Sequence, residues 1–418
     1  MTVASSSALF HIPACEAPST SDASTSQRAS APRPAIAAPA LAPLPPPVRE
    51  SVSRPRLASG RGWLHLAWTQ PGLDGRGDAL FFSARAHEDG RWRDLSPLSR
   101  HVAPDAPVQL VSAPTREVAI AWSAPIGNGQ VRPWIAISHD AGRRFAAPEI
   151  LDLPASVART SSALIAPPAR ADAPWTVAVP RAAVVLPDPA SPPVPSSPVP
   201  SYAWTSLAAP TTAEDASRLE ALTVCSGGGA LGLWCSPGGE PWLATLAEAH
   251  PLHDDARCLA GQRPLSCRGN LIALATESAR SGETWLWIGQ SPAALRRLTR
   301  LPAAAATVTQ VEWIDDTHLL AAWIDRRRTL RALTIDLSGG GTRSLRLADA
   351  VLEASATLDA QRSHAYFAWT AAPATPNAGG AAVASDRGTL HLGSVALRAG
   401  MLSAAAPEQT LDPRDSTR

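Results

Sequence analysis

The 418-residue chain contains no lysine, so its 37 basic residues are all arginines, and 36 acidic residues balance them almost completely. A formal net charge of +1 leaves no basic excess for a polyanion, so we predict no nucleic-acid partner. Long apolar runs are also missing. None reaches the 18 residues that a membrane-spanning helix needs, so no transmembrane helix is expected.

Cysteine is scarce: Cys15 stands alone, and Cys225, Cys235, Cys258 and Cys267 lie in the middle of the chain. The four central cysteines are an even set, as two disulfides would require. The first two flank a glycine-rich segment as a hairpin would place them, and the last two bracket a Gly-Gln-Arg-Pro turn. Buried free thiols are the alternative. The spacings do not fit a zinc site, so we predict no metal and no cofactor.

Residues 1–48 form a leader rich in serine, alanine and proline, which is typical of disorder. The segment Leu9-Phe-His-Ile-Pro-Ala-Cys15 resembles the lipobox of bacterial lipoproteins. That resemblance implies lipidation of Cys15, a lipid anchor, and an exported location in the periplasm or at the outer membrane. Residues 1–8 carry no basic residue and the apolar run is short, so a disordered leader on a cytoplasmic protein is the alternative.

A strand pattern ending in a tryptophan repeats along the chain, as in Leu64-His-Leu-Ala-Trp68 and Val118-Ala-Ile-Ala-Trp122. The equivalent positions, 41 to 59 residues apart, are Trp68, Trp122, Trp175, Trp234, Ala275, Trp323 and Trp369. A second alternating strand follows each copy, and shorter strands precede and close each unit. Regular repeats of this size are typical of β-propeller blades, in which each four-stranded sheet packs on the next.

We therefore predict an all-β fold: a β-propeller of about seven four-stranded antiparallel blades, with six or eight also possible. The propeller domain spans residues 49–412. It contains a proline-rich insertion at residues 187–200, which we interpret as an extended solvated loop. Residues 413–418 are a disordered tail. The repeated tryptophans are expected to pack between blades.

One turn carries a family resemblance. In the sequence Ser138-His-Asp140-Ala-Gly142-Arg-Arg144-Phe145, short polar side chains can bond backbone N–H groups, glycine can take a positive φ, and Phe145 can fold back as an apolar plug. This stretch resembles the Asp-box of sialidase-like (BNR-repeat) β-propellers, with Arg144 where serine or threonine is usual. The repeat register places it between the third and fourth strands of the second blade, as a structural turn.

The loops between second and third strands lie at the opposite end of the propeller, where a central ligand pocket would be built. They contain arginines, which offer a planar fork to carboxylates and phosphates. The candidate ligand-binding residues are Arg76, Arg132, Arg280, Arg326 and Arg387. Arginine is common throughout the chain, so composition alone is the alternative explanation.

The family resemblance does not extend to catalysis. Sialidases need an arginine triad, a tyrosine nucleophile and acidic partners, and the first blade has Arg54-Pro55-Arg56 in place of the usual Arg-Ile-Pro. Tyr202 and Tyr366 show no acidic partner in sequence. We predict a monomeric, non-catalytic binding or scaffold protein whose ligand or protein partner is anionic or a carbohydrate, with no catalytic residues. A divergent sialidase-like glycoside hydrolase is the alternative.

Overall fold

The computed structural model describes residues 40–41, 51–72, 77–87, 91–93, 96–103, 107–126, 130–151, 164–168, 175–178, 202–204, 218–225, 229–259, 261–372 and 387–403. Five of the predictions made above fall wholly or mostly outside these residues. They concern the leader at residues 1–48 (apart from residues 40–41), Cys15, Arg76, the insertion at residues 187–200 and the tail at residues 413–418. No helix in the described ranges is long and apolar enough to cross a membrane.

The described strands form seven sheets that follow one another along the chain. Strand β1 (Ala40–Leu41) comes first and joins the last sheet. Sheet 1 contains β2 (Ser53–Gly60), β3 (Trp63–Pro71), β4 (Asp78–Ala86) and β5 (Ser96–Val102). Sheet 2 contains β6 (Gln109–Ser112), β7 (Val118–Pro125), β8 (Val131–Ser138) and β9 (Glu149–Ile150). Sheet 3 contains β10 (Leu164–Ala166), β11 (Trp175–Ala178) and β12 (Tyr202–Trp204).

The second half of the chain forms the other four sheets. Sheet 4 contains β13 (Arg218–Val224), β14 (Ala230–Cys235), β15 (Pro241–Ala244) and β16 (Ala249–Pro251). Sheet 5 contains β17 (Ala256–Arg257), β18 (Leu265–Arg268), β19 (Leu271–Ser278), β20 (Thr284–Gly289) and, after a 3-10 turn at Pro292–Ala294, β21 (Arg296–Arg300). Sheet 6 contains β22 (Ala305–Trp313), β23 (His318–Asp325), β24 (Leu330–Asp336) and β25 (Thr342–Ala348). Sheet 7 contains β26 (Val351–Leu358), β27 (His364–Ala371), β28 (Thr389–Arg398) and β29 (Met401–Leu402).

The sheets are arranged as a β-propeller, as predicted. The innermost strands contact one another in the order β2, β6, β10, β13, β18, β22 and β26, and β26 returns to β2. Six of the described sheets are antiparallel blades of four or five strands, and sheet 3 is a smaller, three-stranded one. Each sheet covers the next, so apolar side chains from two neighbouring sheets form each core cluster.

The repeated tryptophans occupy the positions that the sequence predicts, on the second strand of each unit. Six of them lie between sheets with at most 5% of their surface exposed, namely Trp68, Trp122, Trp175, Trp234, Trp323 and Trp369. Each indole ring can bury roughly 150–250 Å² of apolar surface, so this repeat accounts for much of the attraction between sheets.

Sheet 3 differs from the expectation of purely antiparallel blades. Its strands β11 and β12 pair in parallel, with Trp175 opposite Tyr202 and Val177 opposite Trp204. A parallel neighbour requires a connection of about a dozen residues or more, and residues 179–201 supply that length. The sequence pattern shows that a strand exists at 202–204, but not the direction in which it runs.

Two features close and brace the ring. Strand β1, within the segment interpreted as the leader, pairs with β28, so the start of the chain adds a strand to the last sheet. Two disulfides, Cys225–Cys267 and Cys235–Cys258, join sheet 4 to sheet 5. The cysteines thus pair between the two hairpins rather than within each hairpin.

Candidate functional site

The turn at residues 138–145 connects β8 to β9 and has the hydrogen bonds of a self-contained loop. The Ser138 hydroxyl donates to Asp140 Oδ1 at 2.8 Å, and the same carboxylate oxygen accepts the N–H of Arg144 at 2.9 Å. The N–H of Gly142 donates to Ser138 Oγ at 2.9 Å. Burial acts to raise the pKa of Asp140, but the hydrogen bonds outweigh it and hold this pKa below its ordinary value.

This turn packs against sheet 1. Phe145 meets Phe82 of β4 edge to face, with ring centroids 4.9 Å apart. Gly142 has a φ of +78°, and a Cβ atom there would lie 2.5 Å from the Phe82 ring. The position therefore requires glycine for both backbone and packing reasons. Every described contact of the turn is structural, and none leads to the centre of the ring.

Two of the five candidate arginines lie in neighbouring loops at the other end of the strands. Arg326, after β23, contacts the Glu277 carboxylate and the carbonyl of Gly282 at 3.3 Å. That carbonyl belongs to the loop that contains Arg280, whose N–H donates to Asp255 Oδ1 at 3.1 Å. Arg280 and residues 326–328 are all exposed arginines. The two loops therefore form one surface on which exposed arginines lie beside the carboxylates of Glu277 and Asp255, and we call it the loop patch.

The other candidates are separate from this patch. Arg387 precedes β28 and donates to Asp78 Oδ1 at 2.5 Å, which ties the last sheet to the first. Arg132 lies on β8, half-buried and opposite Ala124. Arg76 lies outside the described residues. The structure thus brings Arg280 and Arg326 into adjacent loops, and places Arg132 and Arg387 in other sheets.

The centre of the ring holds a charged cluster that the sequence reasoning missed. Arg54 and Arg56 lie on β2, the innermost strand of sheet 1, at a bulge between Ser53 and Arg56. The backbone N–H of Arg54 contacts the Glu353 carboxylate of β26, and Arg56 Nε donates to the carbonyl of Val108 at 2.6 Å. Arg54 has a φ of +54°, a left-handed conformation that costs about 1–2 kcal/mol outside glycine. Strain of this kind often marks a functional position.

A short segment of sheet 5 sends two side chains to other sheets around the axis. Residues 261–264, between β17 and β18, leave the sheet and run beside β22, where Gly261 forms a parallel bridge with Val308. From this position Gln262 Nε2 donates to the carbonyl of Ala354 in sheet 7 at 2.7 Å. The Arg263 guanidinium contacts the carbonyl of Leu110 in sheet 2. We call residues 261–264 the axial segment.

The axis continues to a second carboxylate on β22. Glu312 accepts a hydrogen bond from Gln310 Nε2 at 2.9 Å and lies 3.5 Å from the Arg362 guanidinium. Burial raises the pKa of Glu312, and the nearby Arg362 and Arg263 oppose that rise. Glu312 keeps 21% and Arg362 keeps 34% of its side chain exposed. Arg362 lies in the turn between β26 and β27, so this partly exposed pair is located towards the end of the ring that carries the turns between first and second strands.

Among the residues that the structure describes, four arginines and two glutamates make up this axial cluster. The arginines are Arg54, Arg56, Arg263 and Arg362, and the glutamates are Glu312 and Glu353. Burial and the adjoining Arg54 and Arg263 lower the pKa of Arg56 to about 10, and Glu353 only partly opposes them. Arg56 therefore stays charged at neutral pH in surroundings that compensate it poorly.

Tyr366, the tyrosine whose side chain the structure describes, has no described contact with this cluster. Tyr366 has its hydroxyl 3.3 Å from His87 Nδ1, and its ring packs near His364 and Arg85. Burial raises the pKa of Tyr366, which makes its hydroxyl a poorer nucleophile at neutral pH. The Tyr202 side chain lies outside the described part of the chain. The described axis is thus suited to holding an anion between guanidinium groups.

Comparison with known proteins yields structural similarities only. No protein-family model matches the chain, and no curated protein matches it significantly. Among solved structures, AofleA from Arthrobotrys oligospora is 11% identical, with 85% of this chain and 86% of that chain covered and a TM-score of 0.43. The sialidase of Trypanosoma rangeli is 9% identical, with coverages of 83% and 55% and a TM-score of 0.42.

Prolyl endopeptidase is also among the similar structures, at 11% identity and a TM-score of 0.36. The match covers 84% of this chain but only 42% of that enzyme, so the chain spans less than half of the endopeptidase and about half of the sialidase. Sialidases are therefore among the structures to which this chain is similar.

Proposed function

We propose that the chain is a non-catalytic β-propeller that binds an anionic ligand, or an anionic group of a partner, at the centre of the ring. Entry is from the face that carries the loops between second and third strands, where the loop patch also lies. The observation that carries this proposal is the axial cluster, in which Arg54, Arg56 and Arg263 lie close enough for their charges to affect one another. Charge-assisted hydrogen bonds from arginine to carboxylate or phosphate are among the strongest polar contacts in proteins.

The location of Arg54 and Arg56 supports this direction of entry. Strand β2 begins at the end of the ring where β3 meets β4, and both arginines lie in its first half. Arg387 and the loop patch lie at the same end. An anion approaching this face would therefore meet the exposed arginines first and the axial guanidiniums next, which favours rapid association.

We also propose that the protein is exported. The two disulfides support this, because such bonds persist in oxidising compartments and are rare in the bacterial cytoplasm. Lipidation at Cys15 would then anchor the propeller to a membrane. The test is thiol titration of the unfolded protein without reductant. One free thiol among five cysteines is expected when Cys15 is unmodified, and four or five would contradict export.

Ligand binding is tested by thermal unfolding with two probes, inorganic phosphate and glucuronate. A ligand at 100 times its Kd adds about 2.7 kcal/mol of stability, equivalent to a rise in Tm of about 3–4 °C for a domain of this size. The double variant R54M/R56M should lose this rise. Arg343 on the outermost strand β25 is exposed, so R343M is the matched control and should behave as wild type. An equal rise in Tm for R54M/R56M and wild type would refute an axial site.

A glycoside hydrolase remains the second candidate because three arginines, Arg54, Arg56 and Arg263, lie close enough to influence one another beside Glu353. Catalysis would also need a nucleophile and an acid at the bound sugar. The described contacts of Tyr366 do not include any of these residues. We expect no turnover of a fluorogenic sialoside by the wild-type protein. Turnover that is lost in the Glu353→Gln variant would favour the hydrolase instead.

A further inference from the structure

The axial segment lies midway between two half-cystines. Cys258 precedes Gly261 by three residues, and Cys267 follows Pro264 by three residues. Each of these cysteines is bonded to sheet 4, Cys258 to Cys235 and Cys267 to Cys225. The chain on both sides of the segment is therefore attached covalently to the neighbouring sheet, while the side chains of Gln262 and Arg263 reach sheet 7 and sheet 2.

Inside these two attachments the backbone is held at close range by β22. The N–H of Gln262 donates to the carbonyl of Val308 at 3.0 Å, and the N–H of Val311 donates to the carbonyl of Arg263 at 2.8 Å. A Cβ atom on Gly261 would lie 2.7 Å from the Val308 oxygen. The approach therefore requires glycine, and the position of the segment is sensitive to small displacements.

The side chain that depends on this position is Arg263. This side chain extends from the axial segment of sheet 5, and its guanidinium reaches the carbonyl of Leu110 in sheet 2. It therefore spans the centre of the ring. Burial lowers the pKa of Arg263, and Glu312 opposes that effect. A cation placed this way has little reason to remain at the axis unless its backbone is held there, because an arginine is far better solvated in water.

We propose that the two disulfides position the axial segment, and that they thereby keep the Arg263 guanidinium in the anion site. This inference rests on the proposed function, and it assigns Cys225, Cys235, Cys258 and Cys267 a role beyond the joining of two sheets. Arg263 contacts the anion, whereas the cysteines and Gly261 act through the backbone. Loss of either disulfide should release one end of the segment and weaken anion binding while the propeller stays folded.

The test compares three variants with wild type: C235A/C258A, C225A/C267A and G261A. Alanine avoids placing a hydroxyl at the buried Cys235. Amide hydrogen exchange at Gln262 and Val311 reports the position of the segment, and calorimetric titration with inorganic phosphate reports the site. We expect at least tenfold faster exchange at both amides and at least tenfold weaker phosphate binding in each variant, measured well below its Tm.

The matched control is G229A, because a Cβ atom at Gly229 would meet nothing within 4 Å. It should match wild type in both measurements. Amides of β7 in sheet 2, such as that of Ile120, should keep their protection in all variants, which shows that the propeller remains folded. G261A leaves every disulfide intact, so it tests the segment even where the cysteine variants do not fold.

The outcomes separate the two proposals. Unchanged exchange at Gln262 and Val311 in the cysteine variants would overturn the positioning role. Faster exchange with unchanged phosphate affinity would also overturn it, because the segment would then move without affecting the site. Failure of wild type to bind phosphate would instead count against the proposed function for this probe, and the exchange rates alone would then show whether the disulfides hold the segment.

Discussion

Replacement of Arg56 by methionine separates binding from stability. Methionine keeps much of the length of the side chain and removes its charge and its donors. The lowering of the Arg56 pKa to about 10, well below its ordinary value, shows that folding places this cation in unfavourable surroundings, mainly through burial. A shift of that size corresponds to a penalty of roughly 3 kcal/mol, which the variant would no longer carry.

The same change removes hydrogen bonds. Arg56 donates to the carbonyl of Val108 at 2.6 Å and to that of Pro55 at 2.9 Å. A buried carbonyl left without its donor costs about 1–3 kcal/mol. The two effects nearly cancel, so we expect the free energy of unfolding of R56M to lie within about 2 kcal/mol of wild type, as for other buried charges replaced by apolar side chains.

Anion binding should respond much more strongly. A hydrogen bond to a charged group contributes about 1.5–3 kcal/mol, so loss of the Arg56 guanidinium should weaken phosphate binding by about 10- to 100-fold. Urea unfolding followed by tryptophan fluorescence gives the stability, and calorimetry gives the affinity. Destabilisation by more than about 4 kcal/mol would identify Arg56 as a structural residue. Unchanged affinity in a folded R56M would refute its role in the site.

Three further predictions follow from individual contacts. Glu353→Gln removes a negative charge from the axial cluster, so it should tighten phosphate binding several-fold in calorimetry, and weaker binding would show that Glu353 itself contacts the ligand. Burial acts to raise the pKa of Asp315, but the hydrogen bonds of its turn lower it to about 2. This carboxylate therefore stabilises the fold above pH about 4, and the benefit is lost as the pH falls towards 2. Nearly half of the Asp315 side chain is exposed, so Asp315→Asn should lower the free energy of unfolding by about 1 kcal/mol at pH 7. The difference in urea midpoint between this variant and wild type should shrink near pH 2. A difference that stays constant with pH would contradict the stabilising role of this carboxylate. In urea unfolding, Gly142→Ala should be less stable than Gly229→Ala by about 2 kcal/mol or more, because alanine would take a positive φ and clash with Phe82. Equal stabilities of the two variants would contradict the packing of that turn.

The fold could be predicted because its repeat is carried by single large residues. Tryptophans such as Trp68, Trp122 and Trp323 end an alternating strand in each unit, and burial between sheets requires a large apolar ring at this position. The same register gave one loop between a second and a third strand: Arg76, predicted to lie in such a loop, falls between β3, which ends at Pro71, and β4, which begins at Asp78. Strand β12 was expected, but its parallel direction was not, because strand direction leaves no mark on the alternation.

The axial cluster could not be predicted in the same way. Its members come from sheets 1, 5, 6 and 7, and Arg54 and Glu353 meet although almost 300 residues separate them. Bulges in β2 and β26 bring Arg56 and Glu353 to the axis. A bulge is an irregularity of strand pairing, and a regular sequence repeat does not reveal its position. The sequence contained one signal of the axial cluster. A charged residue such as Glu312 interrupts β22, the otherwise mostly uncharged first strand of its sheet. The position of the axial segment left no comparable signal, because only Gly261 hints at a close approach.

The pairing of the cysteines shows a similar limit. The sequence places Cys225 near Cys235 and Cys258 near Cys267, and pairs close in sequence are a reasonable first guess for hairpins. The structure joins each cysteine of one sheet to a cysteine of the next, because the strands that carry them are neighbours around the ring. Spacing alone does not contain that neighbour relation.

A crystal structure of the wild-type protein with selenate tests the central claim most directly. Selenate is a tetrahedral dianion like phosphate, and anomalous scattering locates its selenium atom. We expect one selenate ion at the axis. Its oxygen atoms should lie within hydrogen-bonding distance of at least two of the guanidinium groups of Arg54, Arg56 and Arg263. Selenium found only beside the exposed arginines of the loop patch, with the axis occupied by water, would contradict it.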